Sequence, residues 1–108
     1  MKILCEDIWK IFGKGAEKVM NSSSDRTTLA KSLRCTIAVR EANFSVQEGE
    51  VFVIMGLSGS GKSTLLRCIN HLILPTHGRV VVDRKELNRM NKRELCYFRQ
   101  KTMGMVFQ

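Results

Sequence analysis

The 108-residue sequence predicts an α/β fold, and three observations carry that prediction. Ile37 and Val39, then Phe44 and Val46, alternate with other residues as in a half-buried strand. A continuous apolar run, Val51-Phe52-Val53-Ile54-Met55, leads directly into the glycine-rich segment Gly56 to Thr64. Beyond it, Leu65, Leu66, Ile69, Leu72 and Ile73 recur at helical spacing. Strand, glycine loop and helix in this order form the setting in which a loop binds phosphate.

The elements follow in chain order. Ile3 to Phe12 mixes apolar and polar positions and ends at Gly13, which suits one or two short strands. Residues 13–35 read as an exposed insertion: Gly13, Gly15 and the polar run Asn21-Ser22-Ser23-Ser24 precede a short helix that Ser24 or Asp25 would cap. From Thr36 a hairpin or bent strand runs to the turn Gln47-Glu48-Gly49-Glu50 and into the apolar run at 51–55, read as the strand before the loop. Pro75-Thr76-His77-Gly78 stops the helix after the loop, Val80-Val81-Val82 forms a short strand, and Asp83-Arg84-Lys85 turns the chain. Asn91 with Glu94 three residues on marks a capping box and opens a second helix, whose basic residues near the end suit its dipole. Met103 to Phe107 reads as a last apolar strand before Gln108.

Composition narrows the function. An apolar share of 44% fits one soluble globular domain, so residues 1–108 are treated as a unit. Nearly all of the net charge of +8 arises after residue 50, where ten basic residues face three acidic ones. Much of it lies in Arg84, Lys85, Arg89, Lys92, Arg93, Arg99 and Lys101, a solvated helix face that would also suit nucleic acid, an anionic membrane or an acidic partner. Nucleic acid is not expected, because only Tyr97 and Phe98 interleave aromatic rings with these charges. Cys5, Cys35, Cys68 and Cys96 show no C-x-x-C pair, which favours reduced, buried thiols. The start is too briefly apolar for a signal peptide and no 18-residue apolar segment occurs, so the expected compartment is the cytoplasm.

The loop carries the chemistry. Its spacing is G-x-x-x-x-G-K-[S/T], with Gly56, Gly59 and Gly61 freeing the backbone to aim successive N–H groups at one anion. The following helix starts at the phosphates, and its dipole and free amides favour negative charge there. Lys62 would reach the β- and γ-phosphates, Ser63 would ligate Mg²⁺, and Thr64 would contact the α-phosphate. Ser58 and Ser60 complete the predicted ATP-binding loop. His71 and His77 are read as ordinary surface or helix-face residues, and Cys68 as a small core residue.

Glu48 through Leu65 resembles the Walker A region of ABC transporter ATPases. Leu74-Pro75-Thr76-His77-Gly78-Arg79-Val80 and Met105-Val106-Phe107-Gln108 look like the next two landmarks of that family, the second ending on its Q-loop glutamine. Within the family the chain is most similar to the glycine betaine/proline (osmoprotectant) importer ATPases, through Trp9-Lys10-Ile11-Phe12-Gly13, the long insertion and the wording of the loop. The resemblance implies a P-loop NTPase fold of the ABC nucleotide-binding type, with an antiparallel β amino-terminal part and an incomplete carboxy-terminal one. It implies that Phe12, with Trp9 as a rival, stacks on adenine, and that Gln108 touches Mg²⁺ or the attacking water. It also implies a homodimer working with transmembrane permease subunits and a substrate-binding protein, held through the permease on the inner face of the cell membrane.

The family's Walker B aspartate, catalytic glutamate, signature run and switch histidine follow the Q-loop, so this stretch is expected to bind ATP without hydrolysing it and, with part of its core lacking, to be poorly soluble. Two alternatives stand beside this reading: a small P-loop nucleotide kinase and a non-catalytic nucleotide-binding remnant.

Overall fold

In a computed structural model, residues 2–22, 25–56 and 59–104 are described. Ile3–Phe12 forms one ten-residue strand, β1, rather than two. Two short helices follow, α1 (Ala16–Met20) and α2 (Arg26–Ser32), and then the long strand β2 (Thr36–Val46). Helix α3 (Lys62–Ile69) comes after the glycine loop; β3 (His77–Val82), the two-residue β4 (Lys85–Glu86), a 3₁₀ turn at Leu87–Arg89 and α4 (Lys92–Thr102) complete the order. The strands make one antiparallel sheet in the order β2-β1-β3-β4.

β1 is the spine of this sheet because it pairs on both edges, with Ile3 opposite Val46 on one side and Val82 on the other. Its register shifts on both sides around Asp7, which sits at φ 50°. Ile8 and Trp9 are neighbours on the strand, so their side chains leave on opposite faces. Ile8 joins Cys5, Val39, Cys68, Val80, Val82, Leu87, Leu95 and Phe98 in the main core, whereas Trp9 joins Ile11, Val19, Met20 and Ala30 beneath α1 and α2. Burial, together with the neighbouring Cys68, pushes the Cys5 thiol up to about 12, and burial raises Cys68 as well, so both behave as small apolar side chains.

Several local readings hold. Asp25, rather than Ser24, caps α2, accepting from the amides of Thr27 at 3.0 Å and Thr28 at 3.4 Å. Asn91 and Glu94 form a complete capping box at the start of α4, and Asp83 and Arg84, both at positive φ, make the turn between β3 and β4. β4 is short, and the Asn88 side chain extends the ladder in its place: Oδ1 accepts from Val80 N and Nδ2 donates to the Gly78 carbonyl. Gly78 is held to glycine by φ 92° and by the carbonyls of Glu6 and Asp7, against which a Cβ would collide.

Others change. Val51 to Met55 does not form a strand with the described residues, among which it has no ladder partner, and Val51, Val53 and Met55 are 87%, 68% and 86% exposed. A continuous apolar strand is the pattern of a sheet interior, covered on both faces and paired on both edges. No described element supplies that cover, and the Phe52 ring stacks only on Phe44 of β2, at 5.0 Å. α3 ends at Ile69, so Leu72 and Ile73 lie beyond the helix. His71 is not a surface residue: it is 5% exposed, and burial, then the nearby Arg99, hold its imidazole below the ordinary 6.5. Met103 is extended where it closes α4, while the rest of the expected last strand, from Met105, lies outside the described residues.

Candidate functional site

The start of α3 explains how the glycine loop meets the sheet. Gly61 is the residue before the helix and sits at φ 95°, a conformation that side chains rarely adopt. A Cβ there would also run into the Ala38 carbonyl of β2, so glycine is what lets loop and strand approach. No side chain caps this helix, which leaves the first amides of α3 without a capping acceptor and with the positive end of the dipole behind them.

Around that point lies a cavity of about 520 Å³, lined by Gly59, Ser60, Gly61, Lys62, Ser63 and Thr64 on one side and by Thr36, Ile37 and Ala38 on the other. Lys62 folds back, its Nζ donating to the Gly56 carbonyl. The structure thus brings six of the predicted loop residues together around one space, with Gly56 tied to it through Lys62. Ser58 and Gln108 fall outside the described residues.

Phe12 does not line the cavity but is joined to its wall through the ladder. It pairs with Thr36, which lines the cavity, and its ring is 42% exposed with Lys10 Nζ 5.0 Å from the centroid. Trp9 does not share this position. It is 3% exposed, with the Arg26 and Arg40 guanidinium groups 4.7 and 5.2 Å from its ring, and its Nε1 donates to Asp7 Oδ1 at 3.1 Å. Those contacts leave it no free face for a ligand and make it the anchor of the insertion. Sequence reasoning missed Thr36, Ile37 and Ala38; their one signal is that Thr36 resumes the strand pattern just after the insertion.

A loop that can surround an anion, an uncapped helix start behind it and an exposed aromatic beside it make a site for a phosphorylated ligand carrying a flat base. The ABC transporter family profile matches residues 39–108, a stretch that holds the loop, α3, β3 and α4. The chain belongs to the ABC transporter family. Among relatives of this ABC protein, the glycine betaine/carnitine transport ATP-binding protein GbuA of Listeria monocytogenes is 53% identical across 99% of this chain and 28% of its own length. The trimethylamine N-oxide transport system ATP-binding protein TmoW of Pelagibacter ubique is 45% identical across 98% of this chain and 32% of its own. Among solved structures, the dimeric ATP-binding cassette MJ0796, in a post-hydrolysis state bound to ADP and Pi, superposes with a TM-score of 0.75 at 30% identity, covering 98% of this chain and 38% of that one. The fold is therefore a part of an ABC ATPase cassette, and the chain spans about a third of the length of the relatives it matches.

Proposed function

We propose that residues 1–108 are the amino-terminal part of an ABC nucleotide-binding domain, with 13–35 as an insertion, and that they bind ATP for an importer of glycine betaine-like osmoprotectants. The observation that carries the site is the cavity between the glycine loop and β2, with Phe12 one ladder position away. The solute class is supported by the names of the relatives, which transport glycine betaine, carnitine and trimethylamine N-oxide.

In this reading Phe12 takes the adenine on its exposed face. The backbone of Gly56 to Gly61, with Ser58 and Ser60, surrounds the phosphates, and the amides of Lys62, Ser63 and Thr64 add the helix terminus. Lys62 exchanges the Gly56 carbonyl for the β- and γ-phosphates, a stronger, charge-assisted contact. For Mg²⁺, Ser63 in the first turn of α3 lines the cavity and offers a hydroxyl oxygen, the donor type the ion takes alongside phosphate oxygens. Ser63 and Gln108 would be its protein ligands, and the ion would neutralise phosphate charge. The catalytic groups of the family are carried by segments that follow the Q-loop, so this stretch binds nucleotide and does not hydrolyse it alone. In the whole protein two copies work with permease subunits and a substrate-binding protein at the inner face of the membrane. No described helix is long and apolar enough to cross the membrane, which fits attachment through those partners.

The test is ATP titration of the chain and of Lys62→Ala. The variant is expected to lose about ten- to a hundredfold in affinity, the worth of a charge-assisted contact of about 1.5–3 kcal/mol. An unchanged dissociation constant would overturn the site.

A further inference from the structure

Outside the nucleotide cavity lies a second surface rich in one sign of charge. The turn between β3 and β4 and the outer side of α4 form a shallow cavity of about 560 Å³, lined in part by Arg84, Lys85, Arg89 and Tyr97, and none of its lining residues belongs to the glycine loop. Both carboxylates that line the cavity are engaged locally, and the exposed Asp83 of the turn stands beside Arg84 and Lys85, outnumbered by the basic residues. Glu86 pairs with Arg89 at 3.0 Å, and Glu94 accepts from the Asn91 amide at 3.2 Å in the capping box. Among the described residues no carboxylate pairs with Arg84, Lys85 or Lys101. The two lysines instead lie over aromatic rings, Lys85 Nζ 5.7 Å from Phe98 and Lys101 Nζ 5.7 Å from Tyr97. Tyr97 itself is 63% exposed.

We propose that this surface rests on an anionic phospholipid bilayer. The charges left unpaired match phosphate and carboxylate headgroups, and long basic side chains bury their stems while their heads reach the charge. Tyr97 distinguishes a membrane from a purely acidic protein partner: a lone exposed ring with a polar tip, flanked by lysine, is the composition that settles at headgroup depth. A nucleic acid strand would call for several rings in succession, and only one is exposed here. With no described helix able to cross a membrane, the contact is peripheral and depends on the lipid charge.

The experiment is co-sedimentation of the chain, without nucleotide, on vesicles of phosphatidylcholine alone and with about 30% phosphatidylserine. Binding is expected only to the anionic vesicles and should weaken steeply with salt. Arg84→Gln, Lys85→Gln and Lys101→Gln combined should weaken it about a hundredfold, at roughly fivefold per charge. Lys62→Ala should leave it unchanged, which separates this surface from the nucleotide site. Should the triple variant lose its native circular dichroism, the milder Lys101→Gln alone is expected to show a fivefold loss. Equal binding to both vesicle types would assign the effect to the exposed run at 51–55 and overturn the proposal. So would displacement by inorganic phosphate beyond that of sodium chloride at equal ionic strength, or binding of polyglutamate or an oligonucleotide with the vesicles left unbound.

Discussion

Two stretches of this chain exchange the roles that hydropathy gives them. The insertion at 13–35 is polar and glycine-marked, yet Val19, Met20 and Ala30 close over Trp9 and Ile11 to make a second small core. Val51 to Met55 is the most continuous apolar run in the chain, yet three of its five side chains lie more than half exposed. The difference lies in who is available to pack. The insertion folds back on β1, from which it departs, and two arginines brought from α2 and β2 complete the contact with Trp9. Among the described residues, the ring contact of the apolar run is the stack of Phe52 on Phe44. Burial follows from the presence of a partner surface as well as from the character of the residue.

The comparison can be broken from either end, and the largest effect belongs to the insertion. Trp9→Ala removes the anchor of the second core and should lower the unfolding free energy by about 3–5 kcal/mol, read from the urea midpoint; a loss near zero would show that the insertion is not fixed by it. Gly61→Ala tests the join between the glycine loop and β2. At φ 95° the backbone alone costs about 1–2 kcal/mol, and the displaced Ala38 carbonyl should also weaken ATP binding in titration. Asp25→Ala deletes the cap of α2 and should cost about 1 kcal/mol by the same denaturation measurement, with little change in nucleotide affinity. Val53→Ser, at the exposed run, should shift stability by less than about 0.5 kcal/mol while raising the soluble yield. A loss of several kcal/mol there would mean that the run is covered after all.

What could be read from the sequence was local. Asp25 and the Asn91–Glu94 box announce helix starts because the capping bonds join residues two or three apart. The glycine loop is legible for a similar reason, since its spacing encodes its own backbone shape. The misses all depend on distant contacts. Trp9 is a rival of Phe12 in the sequence, and the arginines that cover its ring come from 17 and 31 residues away. Thr36, Ile37 and Ala38 gained a place at the cavity through a close approach to Gly61 that no pattern in either stretch encodes. Asn88, on which the sequence reading was silent, completes a ladder through residues eight and ten positions before it.

The neck of the insertion has a practical side. A Cβ on Gly13 would stand 2.7 Å from Cys35 Sγ, and one on Gly15 3.0 Å from Leu33 Cδ1, so the two stems of the insertion touch immediately beside the Phe12–Thr36 pair. Its outer end, by contrast, carries the exposed Asn21 and Asp25. Lengthening a closed loop costs only a logarithmic increment in entropy, because the ends are already held together. Asn21, exposed just after α1, is therefore a place to attach a fluorescent reporter while the strands that carry the Phe12–Thr36 pair stay in register.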